Sequence, residues 1–567
     1  MSPAAAAADV IPTIPPPAPR GQRYLTGGGE VISQTYGAGE VRAALPRRKT
    51  KIVCTLGPAT CTPEGIAMLA GAGMNVARLN MSHGDHTWHR EVMENIKAFN
   101  RANPDSVIGI LLDTKGPEVR SGDVKEPLLL ETGDKLKFIC CGGTCDGTNN
   151  ELNVNYDGFV HDVAVGDVIL VDGGIMSFRV DSKTDSEVLC TTVDGGKMGG
   201  RRHLNVRNKS ASLPSITEKD WDDIRFGVEN EVDFFALSFV KDGDVVRQLK
   251  AWLREQGSQI QVLSKVESAE SVTNLESILD ESDGAMVARG DLGAELPVEK
   301  VPYWQSQIVQ GCRKRGKPVI VATNMLESMI DHPKPTRAEV SDISIAAREG
   351  TDAVMLSGET AYGKFPTKAI GVMHTVSQRT EAAMRAMVGA RRYGSDEAKP
   401  ITWIQSPGDN APSISEMFAF HATTMANTLD CPILVFSRNG NMPALLSHYR
   451  PNNFIFCFTD NPLVQRRLTL YQGVHALSIV LEDDADRTID KALGHLVARR
   501  LIPPGQQVAI VRGGRKPIWR SNATHAIQVR VAPEIKTTRG GQTEVKVPAA
   551  RTVDPSLVFQ SADEDDV

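Results

Sequence analysis

Lys265, Glu267 and Asp291 are the side chains whose types and spacing best suit chemistry on an anion. Lys265-Val266-Glu267 follows the apolar run Ile260-Gln261-Val262-Leu263. Residues two apart on a strand share a face, so an extended run sends Lys265 and Glu267 the same way. A second apolar run, Gly284-Ala285-Met286-Val287-Ala288, follows a strand–helix unit later and ends in Arg289-Gly290-Asp291-Leu292-Gly293. Two carboxylates and a cation at adjacent strand ends are what a metal-assisted reaction on an anionic oxygen requires. Taken alone, the same residues also fit a surface ion pair and a helix-capping aspartate.

Other stretches extend the pattern. Arg78, Asn80 and Ser82 are two apart in Met74–Gly84 and can converge on one face. Arginine offers planar donors to phosphate, while Asn and Ser offer neutral oxygens suited to a weakly held cation. A capped helix start accounts for Asn80 and Ser82 equally well. Asp113 and Thr114 add hard oxygens at the end of Leu111-Leu112-Asp113, after which Gly116-Pro117 turns the chain away.

These residues end apolar, β-branched runs. Eight such runs lie between Thr50 and Thr360: 51–57, 75–80, 107–113, 232–239, 260–265, 285–288, 318–324 and 353–356. Helix-like stretches such as 62–72 and 242–256 separate most of them. Continuous apolar strands alternating with amphipathic helices predict parallel strands buried on both faces. Eight units predict an α/β fold, a (β/α)8 barrel with its chemistry at the carboxyl ends of the strands. Those ends also carry Lys115, Ser238, Lys241, Arg289, Thr323, Asn324, Ser357, Glu359 and Thr360.

After Asp113 the rhythm breaks until Thr217, with short β-prone runs and Gly-Asp turns at 132–134, 165–167 and 171–174. That spacing predicts a small all-β domain inserted in a barrel loop, able to act as a water-excluding lid. Later runs at 433–436, 454–458, 476–481, 508–511 and 527–531 predict a C-terminal, open, largely parallel α/β sheet. The expected organisation is an unstructured extension (1–47), the barrel (48–116 and 216–388) and the β-barrel lid (117–215). A linker (389–411), the C-terminal domain (412–532) and a disordered acidic tail (533–567) follow.

Composition narrows the class. With 63 basic and 69 acidic residues the net charge is −6, which offers no basic field for nucleic acid. No apolar run approaches the ~18–20 residues that span a bilayer. The 9 cysteines are scattered and odd in number, which fits reduced thiols rather than a disulfide scaffold. Cys140-Cys141 with Cys145 has no second ligand cluster nearby, so no zinc site is expected there. Arg20, Arg23, Arg42, Arg47 and Arg48 suit an organelle transit segment, whereas the scarcity of serine and the presence of Asp9, Glu30 and Glu40 do not.

Taken together, Asn80-Met81-Ser82-His83-Gly84, Asp113–Arg120, Lys265-Val266-Glu267, Ala288–Gly293 and Ala322–Ser328 closely resemble the pyruvate kinase family, over roughly residues 48–532. Arg201–Val206 and Leu213–Trp221 look most like its plastid branch. The resemblance implies phosphoryl transfer from phosphoenolpyruvate to ADP. It implies Mg2+ on Glu267 and Asp291, and Lys265 and Arg78 on the transferred phosphoryl group. It places the backbone N–H groups of Gly290 and Asp291 on the substrate carboxylate and Thr323 near the methylene carbon, assisting protonation through water. Asn80, Ser82, Asp113 and Thr114 match the family's K+ site.

Glu118 stands where K+-independent members carry lysine, so the resemblance predicts K+ dependence. Asn80, Met81, Ser82, His83, Arg120 and Arg202 match the nucleotide contacts, with Arg202 where many members have lysine. The loop Ser437–Met442 keeps one hydroxyl and a glycine of the effector loop, which predicts weak or absent activation by fructose bisphosphate. The family further implies a homotetramer or a plastid-type hetero-oligomer. A plastid stromal location follows from the branch, with the cytoplasm as the alternative. A Mg2+-dependent lyase of the phosphoenolpyruvate/pyruvate class on the same barrel, and a catalytically inactive regulatory subunit, are the competing functions.

Overall fold

A computed structural model describes residues 48–140, 145, 147–172, 174–207, 213–391, 413–482, 484–513, 525–537 and 543–546. The expected N-terminal extension, most of the linker and the end of the acidic tail lie outside the described residues.

Eight parallel strands form a closed barrel: β1 (Lys51–Thr55), β2 (Val76–Asn80), β3 (Gly109–Asp113), β4 (Phe234–Leu237), β5 (Gln261–Val266), β6 (Gly284–Ala288), β7 (Val319–Ala322) and β8 (Ala353–Leu356). Each pairs with its sequence neighbours, and β1 closes on β8. The strand interiors are fully buried because both faces are covered.

Two apolar sets show which way each residue faces. Val53, Val76, Leu111, Phe234, Ala236, Leu263, Met286, Ile320, Ala353 and Met355 fill the barrel interior. Their neighbours Ile52, Ala77, Ile110, Phe235, Val262, Val287, Val321 and Val354 pack outward with the helices. Counting by twos from the interior set reaches Thr55, Arg78, Asn80, Asp113, Ser238, Lys265 and Glu267. The charged residues therefore continue the inward row at the carboxyl ends, where the apolar filling stops.

The expected strands all exist, but several stop short. The run expected over 318–324 ends at Ala322, since Thr323 (φ 67°) and Asn324 (φ 53°) are left-handed and cannot continue a strand. Helices begin on local caps: Thr62 accepts from the Gly65 N–H, Thr217 forms a reciprocal cap with Asp220, and Asp242 accepts from the Asp244 and Val245 N–H groups.

Gly116 (φ 72°) makes the exit from the barrel, and a Cβ there would lie 2.7 Å from both Phe239 Cδ2 and Ser238 Cβ. The inserted region holds a six-stranded sheet and a separate two-stranded one. Arg120 bridges to His203 and Ser121 to Val154, so one segment touches both edges of the larger sheet and curls it into a barrel-like form. Its core is Leu136, Phe138, Phe159, Ile169, Phe178 and Val188.

The C-terminal sheet comprises β9 (Ile433–Phe436), β10 (Ile455–Thr459), β11 (Val474–Ser478), β12 (Gln507–Gly513) and β13 (His525–Val531), in the order β11-β10-β9-β12-β13. Its pairs are parallel except β12–β13. Leu470 enters the barrel's interior cluster from below, and Arg466 pairs with the buried Asp233 at 2.8 Å. Part of the expected disordered tail is instead a β-hairpin, Glu534–Thr537 against Thr543–Lys546, where β-branched Ile535, Thr537, Thr543 and Val545 favour extended backbone. Among the described residues no helix is long and apolar enough to cross a membrane.

Candidate active site

Lys265 is the centre of the strand-end cluster. Its Nζ donates to Ser238 Oγ at 2.8 Å and lies 3.0 Å from Glu267 Oε2 and 3.4 Å from Asp113 Oδ1. Lys265 and Glu267 do share a face, and the salt bridge that their spacing suggested coexists with their place in the site. Burial alone would discharge the ammonium; Asp113, Glu267 and Asp291 outweigh it and raise the pKa, so Lys265 is charged.

Glu267 is 0% exposed. The Phe239 N–H donates to its Oε1 at 2.7 Å, whereas no donor is aligned with Oε2, which has only the Lys265 charge beside it. Burial pushes this carboxyl above the usual range, Lys265 opposes that shift, and Asp291 adds to it. The asymmetry has a simple origin. Lys265 and Arg78 supply two positive charges, while Asp113, Glu267 and Asp291 supply three carboxylates. Buried charge left uncompensated is costly, so the donor set fits a further hard cation between Glu267 and Asp291.

Arg78 donates from Nε to Asp113 Oδ2 at 2.6 Å and from Nη1 to Thr55 Oγ1 at 3.0 Å. Burial opposes ionisation of Asp113, but Arg78 and Lys265 together hold its carboxyl below the ordinary value. Asn80 and Asp113 are register partners on β2 and β3, and the Ser82 N–H donates to Asn80 Oδ1 at 3.2 Å. Thr114 Oγ1 accepts from the Ser238 N–H at 3.0 Å. Asn80, Ser82, Asp113 and Thr114 thus sit together at two neighbouring strand ends, a set of oxygens that suits a large monovalent cation.

Gly290 and Asp291 lie in the first turn of the helix Arg289–Glu295. The Gly290 N–H donates to Thr323 Oγ1 at 2.7 Å, and the Thr323 hydroxyl donates to the Ala322 carbonyl at 2.6 Å. A β-branched residue with positive φ costs about 1–3 kcal/mol and persists only where its surroundings over-determine it. Thr323 is such a residue.

The nucleotide candidates divide. His83 is exposed at the mouth. The Met81 side chain is 2% exposed within the outer apolar layer, because it falls on the outward row, so only its backbone is available. Arg120 and Arg202 lie on the insert, with Arg120 Nε donating to Glu118 Oε2 at 2.8 Å and Arg202 Nη1 donating to Asp172 Oδ2 at 2.9 Å. The His203 and Phe239 rings meet edge-on at 6.4 Å, joining the insert to the loop after β4.

Three contributors had no assigned role in the sequence reading: Ser238, which holds Lys265; Thr55, which holds Arg78; and the Phe239 N–H on Glu267. Ser238 already stood among the polar strand ends, and the inward row by twos would have added Thr55, whereas a backbone donor leaves no residue-type signal. Glu359, prominent at the end of β8, serves structure: its carboxylate accepts from the Leu326 and Ser357 N–H groups at 3.0 and 2.7 Å.

A closed parallel barrel with a buried ammonium–carboxylate cluster at its strand ends, beneath a β insert, defines an enzyme of the metal-and-anion class. Comparison with known proteins narrows it. The pyruvate kinase barrel domain model matches residues 47–370 and the pyruvate kinase alpha/beta domain model matches residues 416–529. The chain is 57% identical over 484 residues to plastidial pyruvate kinase 2 of Arabidopsis thaliana, covering 85% of this chain and 81% of that one. It is 54% identical over 504 residues to the chloroplastic pyruvate kinase isozyme G of Nicotiana tabacum, covering 88% and 86%. A crystal structure of a pyruvate kinase from Cryptosporidium parvum superposes with a TM-score of 0.77 at 34% identity, covering 88% of this chain and 100% of that one. The chain belongs to the pyruvate kinase family and is an enzyme of that family. The lyase alternative falls with that assignment.

Proposed function

We propose that this chain transfers the phosphoryl group of phosphoenolpyruvate to ADP, giving pyruvate and ATP, on the cluster around Lys265. The observation that carries the reading is one buried ammonium held among three carboxylates at the barrel's strand ends. Glu267 and Asp291 would hold Mg2+, which when bound supplies positive charge at the enol oxygen and the transferring phosphoryl group. Asn80, Ser82, Asp113 and Thr114 would hold K+.

Phosphoryl transfer is governed by alignment and by neutralising the equatorial oxygens. Lys265 places its ammonium on the phosphoryl oxygens, and Arg78 clamps the same group bidentately. The N–H groups of Gly290 and Asp291 receive the substrate carboxylate, the Gly290 N–H exchanging its bond to the Thr323 hydroxyl for one to the ligand. Thr323, thereby released, orients the water that protonates the methylene carbon. Asn80, Ser82, His83, Arg120, Arg202 and the Met81 backbone take the nucleotide. The insert closes over the strand ends and excludes water. The names of the plastidial and chloroplastic relatives support a plastid location. Family resemblance supports a homotetramer or a plastid-type hetero-oligomer.

The test is a coupled assay on the full chain with phosphoenolpyruvate, ADP, Mg2+ and K+. ATP and pyruvate are expected in equal amounts, with loss of both on omitting either cation. Pyruvate released without ATP, or no turnover, would overturn the proposal.

A further inference from the structure

The left-handed backbone at Thr323 needs an agent, and one side chain accounts for it. Arg289 projects from the first position of the short helix across to the loop after β7. Its Nη2 donates to the Thr323 carbonyl at 2.6 Å, and its Nε lies 3.2 Å from both the Thr323 and the Ala322 carbonyls. Nη1 is anchored from outside by Asp342 Oδ1 at 2.6 Å and Gln305 Oε1 at 3.3 Å. Gln305 is in turn held by Glu349 at 2.8 Å. The Arg289 side chain is only 11% exposed, so each of these charge-assisted bonds works in a largely dry setting.

We propose that Arg289 is a positioning residue for the protonation step, holding Thr323 in the left-handed conformation that turns its hydroxyl toward the Gly290 N–H. Two successive carbonyls are pinned by one rigid fork, and a lysine's single ammonium cannot reproduce that geometry. Because Arg289 directly precedes Gly290 and Asp291, the same residue ties the amides meant for the substrate carboxylate to the hydroxyl meant for the methylene carbon. The two halves of the enolate site are therefore fixed relative to each other. Without the clamp, a β-branched residue relaxes to negative φ and its hydroxyl swings away.

The inference rests on the reading of Thr323 given under Proposed function. In the step concerned, the enolate's methylene carbon gains a proton from a water bonded to the Thr323 hydroxyl. The hydroxide left behind regains a proton from solvent, and pyruvate is the product.

The experiment compares wild type with Arg289→Met, Arg289→Lys, Asp342→Asn and Thr323→Ala in the full chain. It reads kcat, KM for phosphoenolpyruvate and the D2O isotope effect on kcat. A misplaced proton donor slows its step by roughly 10–100-fold, so kcat of Arg289→Met should fall by that factor with KM changed less than about threefold. Its isotope effect should rise as protonation becomes limiting, matching Thr323→Ala. Arg289→Lys should recover part of the rate, and Asp342→Asn should shift the isotope effect the same way by less. An unchanged kcat, or a lower kcat with the wild-type isotope effect, overturns the role of Arg289. If Thr323→Ala also leaves the isotope effect at its wild-type value, the reading of Thr323 itself falls, and this inference with it.

Discussion

Lys265→Met separates the catalytic from the structural work of the central ammonium. Methionine keeps the aliphatic stem and deletes a charge lying 3.0 Å from Glu267 and 3.4 Å from Asp113. At an effective dielectric of ~20, those pairs are worth about 5.5 and 4.9 kcal/mol before desolvation. Desolvation offsets much of that sum, and removing one partner of a buried pair costs about 3–5 kcal/mol net. The variant should therefore melt well below wild type in Mg2+-free buffer. Mg2+ should raise its thermal midpoint more than it raises that of wild type, because the stranded carboxylates bind the cation more tightly. Activity should not return with stability. An ammonium preorganised for transition-state charge contributes at least about 10²–10³ in kcat. The assays are thermal denaturation with and without Mg2+ and the coupled ATP assay at saturating Mg2+. Retention of more than about a tenth of the wild-type rate, or a Mg2+-free midpoint equal to that of wild type, would refute the reasoning.

Further outcomes follow from other parts of the molecule. Lys51, at the start of β1, donates to the Val474 carbonyl at 2.5 Å, and burial pushes its ammonium from 10.5 down to about 7. Between those values the unfolded chain holds a proton that the folded chain lacks, so this group makes stability rise with pH by roughly 4–5 kcal/mol across the window. Lys51→Met should flatten that slope and gain most over wild type near pH 7; parallel midpoint-versus-pH curves from pH 6.5 to 9.5 would count against it. Gly116→Ala forces a Cβ 2.7 Å from Phe239 and Ser238 at a φ of 72°. It should cost about 1–3 kcal/mol and also lower kcat, since Ser238 holds Lys265; unchanged melting and rate would contradict this. Activity should collapse when tetramethylammonium replaces K+, and Glu118→Lys should relax that requirement while raising KM for ADP. Arg120 loses its 2.8 Å acceptor in that variant, and the split between K+ response and KM checks both halves.

Much of the barrel was legible because backbone geometry writes a period of two into any strand. The pairing of Lys265 with Glu267, of Arg78 with Asn80, and the apolar runs behind them follow from that period alone. The same parity turns the Met81 side chain outward into the apolar layer and leaves its backbone alone for any contact at the strand end. The apolar run carries the expected end of β7 two residues too far, to Asn324, since β-branched Thr323 gives no sign of positive φ. That conformation is imposed by Arg289, 34 residues earlier in the chain.

By itself, then, the sequence determined which residues line one face of each strand, where helices begin on their caps, and that cations and carboxylates gather at strand ends. Only the tertiary structure decided that Asp113 and Lys265, from β3 and β5, share charge at 3.4 Å, and that Ser238 and the Phe239 N–H from the chain after β4 complete the cluster. Local periodicity depends on each residue's own backbone, whereas barrel closure, burial and the resulting low dielectric depend on all eight strands at once.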